Sequence, residues 1–218
     1  RLIRRQRQMC IRDSNQSNPY ENRDLRLDYT ILHHGSSWLN NTLDISIGGV
    51  NNPSNSAEYS KTGYYMCKFM GKFGEESQYG NKIHLWVMFR YAEMLLNYAE
   101  AVYERDDKIS NTDLNISLNL VRLRVNPAMT PLTNELITQN AGMDMRTEIR
   151  RERTIELFNE GFRLDDLKRW KTAETEMPMD IVGIQWKGTE YEKVWANCPY
   201  ETNAEGCIII EKGRKWEE

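Results

Sequence analysis

The chain has 218 residues, of which 39% are hydrophobic and 28% are charged, enough apolar side chains for one large folded domain or two small ones. This composition excludes a wholly disordered chain. The chain contains 29 Lys and Arg residues and 32 Asp and Glu residues, which gives a net charge of -3. A dedicated nucleic-acid-binding protein usually has an excess of basic residues, so we expect no nucleic-acid partner. The longest apolar runs, such as residues 85–89, are far shorter than the ~20 residues of a membrane-spanning helix.

The first fourteen residues form a basic segment that we set apart from the fold. Residues 1–14 lack the apolar core of a secretory signal peptide and show neither helical nor strand periodicity. A non-native, adaptor-like tail and an ordinary basic tail both account for this composition. At the other end, the chain stops shortly after an apolar stretch at residues 207–210. We therefore interpret residues 15–218 as part of a longer domain.

The four cysteines form no metal or redox motif, because none lies in a C-x-x-C pair. Cys198 and Cys207 flank a short polar loop and can form a disulfide in an oxidising compartment. Two free thiols are an equally good interpretation, so the cysteines do not identify a compartment.

Residues 15–83 are predicted to be loop-rich with short strands. They are rich in Asn, Ser, Gly and Tyr, and their apolar runs are short, as at 25–32, 43–47 and 63–69. Gly-Gly and Asn-Pro pairs punctuate the segment, and no helical period appears.

Residues 84–173 are predicted to be helical. Apolar residues recur at intervals of three and four, which indicates a long amphipathic helix over 84–105. A second helix, capped by Asn111 or Thr112, ends before Pro127. The two helices form a hairpin similar to a tetratricopeptide unit, and the sequence contains only one such hairpin.

A third helix is predicted over residues 145–159. Asp144 is its expected amino-terminal cap, and Gly161 occupies the usual place for a left-handed residue after the end. A short helical turn is expected at residues 164–170.

Residues 174–218 are predicted to contain a β-hairpin. Its strands are 181–186 and 191–195, joined by a turn that contains Lys187 and Gly188. The predicted fold class is therefore mainly α, with a minor β content in loop-rich and short-strand segments.

Glutamates spaced four apart, at positions 148, 152, 156 and 160, are predicted to lie along one face of a helix. Such a ladder can bind metals in a helical bundle, but those sites add a Glu-x-x-His pair, and no histidine lies in this region. Eight basic and seven acidic residues fall between residues 144 and 171, which favours ion pairs at i, i+3 and i+4. We therefore predict a structural role and no metal site.

No catalytic set is apparent in the sequence. His33 and His34 are adjacent, so on a strand they point to opposite faces and cannot readily bind one ion. A nucleophile elbow, a Walker loop, a dinucleotide-binding glycine motif and a zinc-protease motif are all absent. We expect that the protein is not an enzyme and needs no cofactor.

Aromatic residues in the loop-rich segment are candidates for ligand binding. Flat rings stack on the apolar faces of sugars, and nearby Asn and Asp can bind hydroxyl groups. Packing of the same rings in the core is the alternative. The candidates are Trp38, Tyr59, Tyr64 and Tyr65.

Three stretches of the chain each resemble a known sequence motif. The longest is RRERTIELFNEGFRLDDLKRW at residues 150–170, which contains every fixed position of R-R-E-R-x-x-E-L-x-x-E-G-x-R-x-x-D-L-x-R-W. The run RYAEMLLNYAEA at 90–101 and the element NRDLRL at 22–27, with Leu25 in the usual proline place, resemble two further motifs. All three resemble the SusD/RagB family of outer-membrane nutrient-binding lipoproteins. The resemblance implies that residues 15–218 are the C-terminal part of a SusD-like domain. We interpret the charges of the longest motif as structural; its positions are Arg150, Arg151, Glu152, Arg153, Glu156, Glu160, Gly161, Arg163, Asp166, Arg169 and Trp170.

The resemblance implies a surface protein of the outer membrane of Bacteroidetes-type bacteria. Such a protein binds oligosaccharides without catalysis, for uptake through a SusC-like TonB-dependent transporter, and has a helical scaffold with tetratricopeptide-like hairpins. The signal peptide and lipid-anchored cysteine of the family are missing from this chain, so membrane attachment is expected only through an anchor outside it. The family's glycan sites lie mainly on loops, which is a second reason to name the four aromatic candidates.

A hypothesis from another class remains, a helical scaffold of tetratricopeptide type that binds protein partners. Clustered exposed aromatic residues in the loops would favour glycan binding. A long concave groove and dispensable loops would favour the scaffold.

Overall fold

The computed structural model describes residue 20 and residues 23–70, 87–177 and 179–213. The segment 1–14, the predicted helix start at 84–86 and the end of the chain at 214–218 lie outside these residues. The described residues divide into two compact units. The helical unit contains residues 20, 23–26 and 87–163, and the loop-rich unit contains 27–70, 164–177 and 179–213.

The amino-terminal part of the loop-rich unit is built from short elements. Helix α1 spans Arg26–Thr30, where the two units meet in sequence, and continues into strand β1, Ile31–Leu32. Strands β2, Ser37–Trp38, and β3, Asn41–Thr42, form a tight hairpin, whereas β4, Tyr65–Met66, pairs antiparallel with β1. The two residues between β2 and β3 have φ angles of 49° and 64°, the left-handed geometry that suits a two-residue hairpin turn.

Helix α2, Tyr91–Asp106, carries the buried stripe of the helical unit. Leu96 and Ala99 are fully buried, and Leu95 and Val102 pack half-buried against the same core. The helix ends where Asp107 adopts a left-handed φ of 52°.

The start of α2 differs from the prediction of a helix from residue 84. Residues 87–90 are not helical, and Arg90 has extended backbone, with φ -140° and ψ 154°. From this position its guanidinium binds Glu156 and Glu160. The apolar spacing of this segment predicts a helix, but the spacing takes no account of the ion pairs that Arg90 makes with Glu156 and Glu160 from extended backbone.

The second predicted helix is divided into α3, Asn111–Ile116, and α4, Leu118–Val125. Ser110 caps α3, because its hydroxyl accepts a hydrogen bond from the amide of Asp113 at 3.0 Å. The division occurs at Ser117, whose hydroxyl donates to the carbonyl oxygen of Asp113 and so competes with regular helical bonding.

Helix α5, Asn134–Gln139, was not expected from the sequence. The next helix, α6, Met145–Glu156, corresponds to the third predicted helix. Asp144 caps α6 as expected, accepting a hydrogen bond from the amide of Thr147 at 2.9 Å. The helix ends three residues earlier than predicted, and Gly161 has the expected left-handed φ of 89°.

One apolar core holds the helical unit together. Helix α2 packs mainly against α6 and α4. The two long helices α2 and α6 therefore share a core, as expected. The mainly α fold is therefore confirmed. The buried apolar residues are Leu96, Ala99, Ile109, Leu114, Leu118, Val121, Leu132, Met145, Ile149 and Leu157.

Helix α7, Arg163–Arg169, begins at the last residue of the helical unit and continues into the loop-rich unit. The other elements in the carboxy-terminal part of the loop-rich unit are α8, Ala173–Glu176, β5, Ile181–Gln185, α9, Glu190–Val194, and β6, Cys207–Glu211. The predicted hairpin is wrong. Strand β5 pairs antiparallel with β6, and the predicted second strand is helix α9. Thr189 starts this helix by accepting a hydrogen bond from the amide of Tyr191, whereas the apolar β6 is the better partner for β5.

The three described cysteines, Cys67, Cys198 and Cys207, are free thiols. Cys198 and Cys207 are therefore two free thiols, as in the second interpretation, and do not form a disulfide. Among the described segments, none of the helices has both the length and the apolar character required to cross a bilayer.

Candidate functional site

The four aromatic residues predicted to bind a ligand all lie in the loop-rich unit and are half-buried. Trp38 is on β2, opposite Asn41 of the same hairpin. Tyr59 and Tyr64 are on the loop that leads to β4, and Tyr65 is on β4 itself.

Hydrogen bonds hold the three tyrosines on one ordered loop. The hydroxyl of Tyr65 accepts from the amide of Ser60 at 3.1 Å, and the amide of Tyr64 donates to Thr62 Oγ1 at 3.2 Å. The three tyrosines therefore lie on one hydrogen-bonded segment, residues 59–65, whereas Trp38 lies on a separate hairpin.

The Asn and Ser residues around these rings serve largely to hold the loop itself. Asn52 is fully buried; its Nδ2 donates to the carbonyl oxygen of Ser46 at 2.8 Å, and its Oδ1 accepts from the amide of Ser54 at 2.9 Å. Asn55 Nδ2 donates to the carbonyl oxygen of Gly49 at 2.9 Å. Composition alone suggested these side chains for hydroxyl recognition, but at least these two are already engaged.

A second aromatic cluster was not expected from the sequence. The ammonium of Lys61 donates to the carbonyl oxygens of Pro53 and Ser56, at 2.6 Å each, and lies 5.2 Å from the centre of the Trp195 ring. Trp195 meets Tyr200 edge to face at 6.0 Å. Burial lowers the pKa of Lys61. No local signal reveals this cluster, because Lys61 and Trp195 are far apart in the chain.

In the helical unit, the buried carboxylate of Glu156 binds three arginines. Its oxygens lie 3.1 Å from Arg26 Nη1, 2.6 Å from Arg90 Nη1 and 2.8 Å from Arg124 Nη2. Burial alone would raise the pKa of Glu156, but the hydrogen bonds of Arg90 and the charges of all three arginines leave it below its usual value. The carboxylate is therefore held in its ionised form.

Arg26 extends this cluster to two further carboxylates. It binds Asp24 through both Nη2 and Nε, at 2.6 and 3.0 Å, and Nη1 lies 2.7 Å from Glu152 Oε1. Burial would raise the pKa of Asp24, but Arg26 lowers it overall. The NRD element and the glutamate ladder, far apart in sequence, thus meet in one ion-pair network.

Arg153, also on α6, makes contacts with α2. Its side chain is buried, donates to Asn97 Oδ1 at 2.6 Å and lies 3.9 Å from Glu100 Oε2. The guanidinium also lies 5.5 Å from the centre of the Phe162 ring. Arg153 therefore joins α6 to α2.

The other motif residues make short-range and tertiary contacts. Arg151 pairs with Glu148 and Arg169 with Asp166, both at i, i+3 and 2.8 Å. The remaining contacts are Arg150 to Glu104 at 3.0 Å, Arg90 to Glu160 at 2.7 Å, Arg163 to Thr154 Oγ1 at 3.0 Å, and Arg169 over the Trp170 ring at 5.5 Å.

The acidic ladder does not assemble a metal centre in the described part of the chain, where no group of three or more His, Cys, Asp or Glu is placed to hold an ion. Its buried members Glu148, Glu152 and Glu156 face guanidinium groups instead. The network therefore joins distant segments of the chain.

Comparison with known proteins identifies the fold. The sequence model of the SusD family matches residues 6–205, beginning inside the basic segment 1–14. A SusD-like carbohydrate binding protein from Bacteroides fragilis is 26% identical, with a TM-score of 0.67, over 93% of this chain and 39% of that structure. A second SusD-like protein from Bacteroides fragilis is also 26% identical, with a TM-score of 0.61, over 92% of this chain and 35% of that one.

The chain spans less than half the length of these two solved structures. A search of the curated proteins found no match. The family match covers most of the sequence, and the solved structures share its fold. The chain belongs to the SusD family.

Proposed function

We propose that this protein binds oligosaccharides at the cell surface and passes them, chemically unchanged, to a SusC-like TonB-dependent transporter in the outer membrane. Membrane attachment would be through a lipid anchor. The observation that carries the proposal is the family match together with a solved relative described as a carbohydrate binding protein. No catalytic role is assigned to any residue.

The aromatic residues of the loop-rich unit are the proposed ligand-binding residues. Trp38, Tyr59, Tyr64 and Tyr65 are half-buried, so each ring is anchored by the fold while part of it remains accessible. Anchored rings lose little conformational freedom when a sugar stacks on them, which favours binding.

The expected affinity is weak. A ring that stacks on a sugar contributes about 0.5–1.5 kcal/mol beyond area burial, if the values for aromatic pairs apply. Two or three rings then support binding constants in the micromolar to millimolar range. Such binding is suited to a receptor that must release its cargo.

Calorimetry against a broad panel of oligosaccharides tests the proposal. The double variant Trp38→Ala, Tyr64→Ala should weaken binding roughly 5- to 150-fold. The matched control Trp38→Phe, Tyr64→Phe keeps both rings and should keep most of the affinity. Undiminished binding by the alanine variant would remove these residues from the site, and a wild-type protein that binds no glycan would refute the function. Release of shorter sugars during incubation would contradict the non-catalytic role.

The alternative function, a scaffold for protein partners, is favoured by one observation. Tyr91, Met94 and Tyr98 recur at i, i+3 and i+7 on α2 and are 71%, 48% and 43% exposed. A glycan receptor should retain its sugar affinity in a Met94→Glu variant. A scaffold should lose its protein partner in that variant.

A further inference from the structure

Helix α1 and the turn after β4 lie side by side in the loop-rich unit. Strands β1 and β4 are paired, and the amides of Cys67 and Lys68 both donate to the carbonyl oxygen of Thr30, at 3.0 and 3.3 Å. Tyr29 precedes Thr30 in the chain, and Phe69 follows Lys68. Two aromatic residues that are distant in sequence therefore lie on adjoining backbone segments.

Both rings are far more exposed than the four aromatic residues discussed above. Tyr29 is 75% exposed and Phe69 is 63% exposed, and Met66 and Met70 beside them are 47% and 41% exposed. Rings exposed to this extent contribute little to the core, and clustered exposed apolar groups on a folded surface mark binding sites. Methionine side chains also adapt readily to a bound molecule.

The backbone at Phe69 is strained. Its φ of 68° lies in the left-handed region, which a bulky residue rarely adopts and glycine adopts freely. The amide of Met70 donates to the carbonyl oxygen of Cys67 at 3.0 Å, so Phe69 occupies the third position of a tight turn, where glycine is usual. Since strained residues cluster at ligand-binding positions, folding alone does not account for phenylalanine here.

A charged residue adjoins each of the two aromatic residues, Lys68 in space and Asp28 in sequence. The ammonium of Lys68 is 5.5 Å from the centre of the Phe69 ring. The carboxylate of Asp28, next to Tyr29, is 62% exposed, and one of its oxygens is 2.9 Å from His33 Nε2. An ammonium and a carboxylate are a donor and an acceptor of the kind that bind sugar hydroxyl groups.

We infer that Tyr29 and Phe69 form a platform that stacks on a pyranose ring of the bound oligosaccharide, with Lys68 and Asp28 binding its hydroxyl groups. This inference rests on the proposed function. It adds a subsite to the four half-buried aromatic residues and explains why a strained phenylalanine stands where glycine would fold more easily.

The variant Phe69→Gly separates binding from folding, because it removes the ring and relieves the strained turn. We expect its Tm to be unchanged or raised by about 2–4 °C. The double variant Tyr29→Ala, Phe69→Gly should bind the preferred glycan of the wild-type protein about 5-fold or more weakly in calorimetry. If Phe69→Gly lowers the Tm instead, Tyr29→Ala alone on the exposed face of α1 provides the same test, with an expected loss of about 2-fold or more.

Tyr91→Ala is the matched control, since Tyr91 is 71% exposed but lies in the helical unit. Its glycan affinity should match that of the wild-type protein. Wild-type affinity in the Tyr29→Ala, Phe69→Gly variant would overturn the platform and leave the proposed function standing. A wild-type protein that binds no glycan would overturn both.

Discussion

We expect three single variants, Arg26→Met, Arg90→Met and Arg124→Met, to destabilise the helical unit to different extents. The more deeply the arginine side chain is buried, the larger the loss of stability should be. All three bind the carboxylate of Glu156, but their side chains are 7%, 24% and 58% exposed. Burial and the number of partners change together in this series, because Arg26 also binds Asp24 and Glu152, and Arg90 also binds Glu160.

The expected magnitudes follow from these exposures. Arg26→Met leaves buried carboxylates at Asp24, Glu152 and Glu156 with one cation fewer, and loss of one member of a buried pair costs about 3–5 kcal/mol. Arg90→Met should cost about 2–3 kcal/mol, because its hydrogen bonds to charged groups are partly screened. Arg124→Met should cost about 1 kcal/mol or less, since the pair is exposed on the arginine side.

Urea unfolding followed by far-UV circular dichroism measures these differences. Arg105→Met is the control, because Arg105 is 73% exposed and pairs with the adjacent Asp106; its effect should stay within about 0.5 kcal/mol. An Arg124→Met variant as unstable as Arg26→Met would refute the argument from burial. A neutral Arg26→Met variant would show that an apolar side chain replaces the buried ion pairs without loss.

Four further outcomes are expected. Leu96→Asp should unfold the helical unit, because an unpaired charge at a fully buried position costs several kcal/mol, and a soluble variant that melts cooperatively would contradict this. Because the pKa values of Glu156 and Asp24 are lowered from 4.5 and 3.8, the unfolded chain binds more protons in the acid range, so the stability that these carboxylates contribute should be complete above about pH 5 and should fall as the pH drops below their unfolded-state pKa values; a urea midpoint that does not change with pH would exclude this. Arg153→Ala should lower the Tm and leave the glycan affinity of the folded protein intact, whereas a stable variant without binding would reverse the assignment. Gly161→Ala should cost about 1–2 kcal/mol in the same urea titration, because a Cβ is unfavourable at φ 89°, and an unchanged midpoint would count against strain.

The positions of the long helices could be predicted because their signals are local. The apolar spacing that contains Leu96 and Ala99 predicts the buried face of α2, and Asp144 identifies the start of α6. The motif at residues 150–170 identifies the family, since it specifies residue types in a fixed order.

Strand partners could not be predicted, because pairing is decided between distant segments. A local turn signal favoured a hairpin after β5, but β5 pairs with β6, and the intervening residues contain the capped helix α9. The same limit explains why Lys61 and Trp195, or Tyr29 and Phe69, give no joint signal in the sequence.

The sequence by itself determined that α6 carries a ladder of glutamates among arginines, and that these charges should pair. Only the tertiary structure decided which charges pair. Residues four apart lie on one face of a helix, and on this face Glu148, Glu152 and Glu156 are all buried. Glu148 pairs with Arg151 of its own helix, whereas Glu152 and Glu156 pair with arginines from other segments. A buried carboxylate requires a cation, and the fold supplies Arg26, Arg90 and Arg124 from three other segments of the chain.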